Sequence, residues 1–149
     1  MTKVIRREAV ARNRSRTITL ASAAPRLRWD AVHRNNYHEV LDMSGFKPNA
    51  RKRVPLIDGD RSSVKNVLGS IRSLRIDRNR LVGELVFASC PRSRAAEMAF
   101  ADGHLEVFDI ELLPERIETA FNFKGIEGRT HLVREWGVIC AIIKPAFGE

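Results

Sequence analysis

The sequence predicts a mainly β domain, a small β-barrel carrying one or two helices. Three observations lead there. Short apolar runs with period-two alternation recur along most of the chain, broken by Pro, Gly, Asn and Asp. Two of these runs, separated by Asp77-Arg78-Asn79, have the pattern of a hairpin. One segment with helical spacing, Arg92 to Ala101, stands between the fourth and fifth strand runs. Many strands with one interposed helix suit a closed or nearly closed sheet.

Taken in order, residues 1–16 carry six basic side chains against Glu8 alone and show little apolar periodicity, so they read as an arm. Thr17 to Ser22 (TITLAS) is the first strand, rich in β-branched residues. Ala23 to Arg28, with Pro25, reads as a connection, and His38 to Met43 (HEVLDM) as a short helix. Arg51, Lys52 and Arg53 precede a short apolar strand, Val54 to Ile57, and Asp58 to Ser63 is turn-rich. Val67 to Ile76 and Arg80 to Phe87 form the hairpin. Pro91 ends it, and Asp102-Gly103 stops the helix that follows. His104 to Leu112 alternates and is expected to end before Pro114. Thr130–Leu132 and Trp136–Ile143 are the last β segments, closed by Pro145.

Length and composition fit one globular domain over residues 17–149: the 149 residues are 44% hydrophobic and 30% charged. The longest apolar run, Trp136 to Ile143, is too short for a membrane-spanning helix, and the first residues lack the apolar stretch of a secretory signal. Cys90 and Cys140 read as reduced thiols in a cytoplasmic protein. Neither a metal nor another cofactor is expected, because no Cys/His pairing has ligand spacing. The net charge of +8 is uneven. Residues 1–53 hold 13 Lys or Arg against 4 Asp or Glu, whereas the remainder is balanced to −1. The arm residues Lys3, Arg6, Arg7, Arg12, Arg14 and Arg16 are therefore the candidate partner contacts, for nucleic acid or an acidic protein surface; a solvated tail that aids solubility is the plainer alternative.

Several motifs, in order, resemble the prohead (capsid maturation) serine proteases of tailed phages, whose fold is similar to that of the herpesvirus assemblins. They are Val54-Pro55-Leu56, an Asp-rich turn, Val67-Leu68-Gly69-Ser70, the strand Leu81–Phe87, Asp102-Gly103-His104-Leu105, and Arg134-Glu135-Trp136 with the apolar run that ends at Lys144-Pro145-Ala146. The resemblance covers roughly residues 16–146 and implies an assemblin-like β-barrel. The catalytic positions depart from the family. The His-Asp or His-Asn pair after the Val-Pro-Leu strand is Gly59-Asp60 here, and the Ser of the strand after the Asp-Gly turn falls within Phe108-Asp109-Ile110. A serine protease needs an attacking hydroxyl and an imidazole to take its proton. Gly59 has no side chain, and a carboxylate at Asp109 repels a developing oxyanion. The resemblance therefore implies a member that has lost catalysis.

Other chemistry is weighed against plainer readings. Asp58, Asp60 and Asp109 would make a carboxylate or divalent-metal site if they converged; the plainer reading has the first two serving their turn and Asp109 pairing with a nearby Arg. Cys90 with His104 is a nucleophile–base candidate, opposed by the usual role of a free Cys as a small core residue. His33, His38 and His131 lack ligand spacing. Trp29 beside Arg26 and Arg28 is either core or an interface anchor.

The expected role is a structural or assembly component of a phage head, acting in the host cytoplasm and in the virion, with the major capsid protein or other head proteins as partners. Packaged DNA is a possible contact through the arm, and a homo-oligomer is compatible with the sequence. Two alternatives stay open: an active prohead protease with its site elsewhere in the alignment, and a basic protein that contacts nucleic acid.

Overall fold

A computed structural model describes residues 15–59 and 66–146. The described residues are mainly β with one α-helix. The elements are β1 (Ser15–Ser22), β2 (Arg26–Asp30), β3 (Asn35–Leu41), β4 (Val54–Ile57), β5 (Val67–Asp77), β6 (Arg80–Phe87), α1 (Pro91–Ala101), β7 (Leu105–Phe121) and β8 (Arg129–Pro145). None of the described helices is long and apolar enough to cross a membrane.

The eight strands form one sheet in the order β1-β6-β5-β4-β8-β3-β2, with β7 branching from β8. The ladder does not close into a barrel: β1, β2 and the outer edge of β7 are not paired to one another. β8 organises the sheet. β7 runs antiparallel along its whole length, from Leu105↔Pro145 to Phe121↔Arg129. The opposite edge of β8 is shared by two parallel partners, β3 at residues 130–133 and β4 at Ala141 and Ile142. Between them a 3₁₀ turn at Met43–Gly45 and the bridge Phe46↔Trp136 fill the gap. The Trp136 indole is fully buried there and donates to the Asp42 carbonyl at 2.8 Å.

The expected hairpin is present. β5 and β6 are joined through Arg78 (φ 53°) and Asn79 (φ 62°), two left-handed residues as a type I′ turn requires. At the other end of this ladder Gly69 pairs with Phe87, and a Cβ at Gly69 would collide with the Val86 carbonyl. The core is formed by the inward sides of β4, β5, β6 and β8, with Leu56, Ile71, Leu81, Leu85 and Val133 all but inaccessible. Pro91 opens α1, where its missing N–H costs no hydrogen bond, and Phe100 carries the helix onto Phe87 at a ring separation of 6.0 Å.

Several expectations are corrected. Residues 38–41 are strand, not helix, and the supposed connection before them contains β2; together these make an antiparallel hairpin, Arg26↔Glu39 to Asp30↔Asn35. The helix consequently follows six strands. β7 does not stop before Pro114 but continues to Phe121, because Pro114 lies beside a bulge in a strand paired on one side only, where a missing N–H is tolerated. The last two β segments are one strand. β1 also begins at Ser15, so Arg16 belongs to the sheet: it pairs with Leu85, and its guanidinium lies 5.6 Å from the Phe100 ring centre. Lys3, Arg6, Arg7, Arg12 and Arg14 lie outside the described residues.

Candidate functional site

The long bent β7 and the β2–β3 hairpin rise on either side of β8 and leave a trough of about 560 Å³ between them. Its polar centre is Asp109. Alternation along β2 sends Leu27 and Trp29 outward and Arg26, Arg28 and Asp30 inward. Arg26 Nη1 donates to Asp109 Oδ1 at 3.0 Å and Arg28 Nη1 to Oδ2 at 3.1 Å. Arg28 Nε also reaches Glu39 of β3 at 3.3 Å. Two carboxylates and two guanidiniums thus form a neutral chain, in which only 14% of the Asp109 side chain is accessible. Burial pushes the Asp109 carboxyl up, but hydrogen bonds from Arg26, the Ile110 N–H and Arg28, with the charge of Arg26, outweigh it and hold the group below the usual carboxylate range.

At the far end Tyr37 and His131 stack at 4.3 Å, and Arg129 lies over Tyr37 while bonding Asp30 at 3.1 Å. Burial, then the charge of Arg129, lowers the His131 pKa against the opposing pull of Glu39 and Asp30. His131 is therefore mostly neutral at pH 7. Among the described residues no serine, threonine or cysteine lines the trough. Its lining is a self-compensated polar seam flanked by Leu112, Pro114 and Ile117.

The other candidate residues are dispersed. Ile57 and Asp109 pair with Ile142 from opposite edges of β8, so β4 and β7 are two strand spacings apart, about 10 Å. Gly59 lies two residues beyond Ile57, and a Cβ placed on it would have nothing within 4 Å, Asp109 included. Asp58 turns to Arg92 at the start of α1, 2.8 Å away, and Asp60 is outside the described residues. Among the described residues no three His, Cys, Asp or Glu side chains come together as a metal site would require. Cys90 is the residue just before α1 and its Sγ lies 3.1 Å from Ser93 Oγ, whereas His104 lies past the helix end. Eleven helical residues, roughly 16 Å, separate them. His33 is bound locally to Asp30. Trp29, 60% exposed, is on the outer rim and is not core.

Reading the sequence anticipated an Arg partner for Asp109 but named neither Arg26 nor Arg28, which lie 83 and 81 residues away. It missed Glu39 and Tyr37 altogether. The available signal was the alternation of Arg26, Arg28 and Asp30 with Leu27 and Trp29, a period-two strand pattern in which the inward residues are charged.

Searches of protein-family models, curated proteins and solved structures found no match to this chain.

Proposed function

We propose that this protein is a non-catalytic structural or assembly component of a phage head, built on a relative of the assemblin-like barrel. The observation that carries this reading is the double guanidinium clamp on Asp109. At the position where the resemblance puts a reactive serine, the chain has a carboxylate committed to two ion pairs that tie β2 to β7. A group so engaged serves packing of the sheet and is unavailable for attack on a peptide bond. The curl that brings β2 toward β7 across β8, joined there by side chains and not by a ladder, is compatible with kinship to a barrel. The experiment is co-expression with a tailed-phage major capsid subunit. The protein should sediment with assembled shells and leave the subunit at full length. Shortening of the subunit by wild-type protein but not by an Asp109→Asn variant would reject the non-catalytic reading, and absence from the shells would reject the structural one.

A further inference from the structure

A second feature lies on another face. Residues Arg51-Lys52-Arg53 form a braced loop. Asn49 holds it through both ends of its amide: Nδ2 donates to the Arg53 carbonyl at 2.8 Å, and Oδ1 accepts from the Arg53 N–H at 3.2 Å. The Lys52 N–H adds a bond to the Asn49 carbonyl at 3.0 Å. The loop is pinned to β5 by the Leu74 N–H, which donates to the Lys52 carbonyl at 3.1 Å. Both sides of that contact use non-glycine residues in the left-handed region, Lys52 (φ 53°) and Ser73 (φ 53°). Ser73 is the extra residue of a bulge between Arg72↔Glu84 and Arg75↔Val82. The bulge resets the alternation, so Leu74 is buried while Arg72 and Arg75 both point to solvent. Since Val54 pairs with Ile71, Arg53 arrives next to Arg72.

Five cations are thereby gathered on one braced loop-and-strand platform. Among the described residues none of the five forms an ion pair; Arg72 bonds Ser70 Oγ and Arg75 the Ser73 carbonyl. Five other arginines of the sheet, at 26, 28, 116, 129 and 134, are by contrast engaged by carboxylates. The exposed large apolar residues, Trp29 and Phe121 among them, all fall outside residues 49–55 and 70–76. A protein partner or a lipid surface draws on apolar anchors that this platform lacks. Cationic side chains on a braced backbone suit phosphate oxygens, outnumbering the one carboxylate, Glu84, that stands opposite Arg72 in the ladder.

We infer that the Arg51–Arg53 loop with Arg72 and Arg75 is a docking platform for the phosphate backbone of nucleic acid. Binding there is independent of base sequence, since the platform has no groove-entering element. The test is fluorescence anisotropy of the full chain with a labelled DNA duplex over a series of salt concentrations. Arg51→Glu with Arg53→Glu should weaken binding by about tenfold or more and reduce the slope of log K against log salt by about 2, one unit for each lost phosphate contact. Arg51→Lys with Arg53→Lys should keep the slope. Arg94→Glu, on the exposed side of α1, should change affinity and slope far less than the double charge reversal. If the double reversal keeps wild-type affinity and slope, or if polyglutamate displaces the duplex as effectively as unlabelled DNA of equal charge, the inference is overturned. Should the double reversal not fold, judged by circular dichroism, Arg72→Gln with Arg75→Gln reads the same surface and must itself lower the slope.

Discussion

Asp109 on β7 accepts a hydrogen bond from Arg28 on β2 at 3.1 Å, although the two strands share no ladder. β3 and β8 stand between them in the sheet. The contact exists because the sheet curls, bringing its β2 end over β8 toward the branch strand. With Arg26 making the second contact, the pair does by charge what a hydrogen-bonded ladder does in a closed barrel. The inward charges also blunt β2 as a free edge, since a strand with guanidiniums on its core side is a poor template for pairing with another chain.

Removing the carboxylate should therefore loosen this junction. Asp109→Asn keeps the shape but leaves Arg26 and Arg28 facing each other with no counter-charge from β7. The group is partly screened, so the loss is set below that of a fully buried pair, at about 1–3 kcal/mol. Urea unfolding should show it as a lower midpoint at unchanged slope. A midpoint equal to wild type would mean that the clamp contributes nothing to folding.

The same carboxylate gives a pH dependence. Its folded pKa lies below the ordinary value, so the unfolded chain takes up the proton first as pH falls. The stabilisation is present in full above the unfolded value of about 4 and is lost as pH drops through the folded value. Stability of wild type should fall more steeply than that of Asp109→Asn below about pH 4. Parallel acid limbs for the two proteins would place the acid sensitivity in other carboxylates.

Placing the prohead-protease residue types at the two compared positions should not produce a protease. Gly59 has φ 86°, where a histidine is strained although space is open, and Asp109→Ser removes the clamp. With β8 between the two positions, the new imidazole would not meet the new hydroxyl. Gly59→His with Asp109→Ser should show no cleavage of capsid-subunit tails and a stability about 2–4 kcal/mol lower than wild type. Cleavage by this variant, absent from wild type, would show that the positions converge and that the alignment in the sheet is wrong.

Which parts were legible follows from where each residue gets its stabilisation. The β5–β6 hairpin carries its own instructions: alternating apolar residues on both arms and a turn that accepts left-handed backbone at Arg78 and Asn79. α1 likewise has its start at Pro91 and its stop at Asp102-Gly103. The β2–β3 hairpin does not. Its inward residues Arg26, Arg28 and Glu39 are charged, and their compensation comes from each other and from Asp109, far along the chain. A pattern that equates inward with apolar reads such a strand as a loop. Pro114 misleads for a related reason: whether a proline ends a strand depends on which edge lies free, and that is a property of the assembled sheet.

The two tryptophans should report the two sides of this architecture separately. Trp29 is 60% exposed on the outer rim of β2, while Trp136 is wholly buried where β8 passes from its β3 partner to its β4 partner. Trp136 packs on Phe46 at 5.1 Å and anchors the 3₁₀ turn through Asp42. Trp29→Phe should leave a blue-shifted emission that acrylamide scarcely quenches, with stability within about 0.5 kcal/mol of wild type. Trp136→Phe should leave a red-shifted, readily quenched emission. It loses the indole bond and opens a void at the strand switch, so its stability should fall by about 2 kcal/mol or more. If Trp136→Phe unfolds at the wild-type midpoint, the parallel pairings on either side of it hold without that side chain. The 3₁₀ turn would then be a passive connection and not the pin that keeps β3 and β4 on one edge of β8.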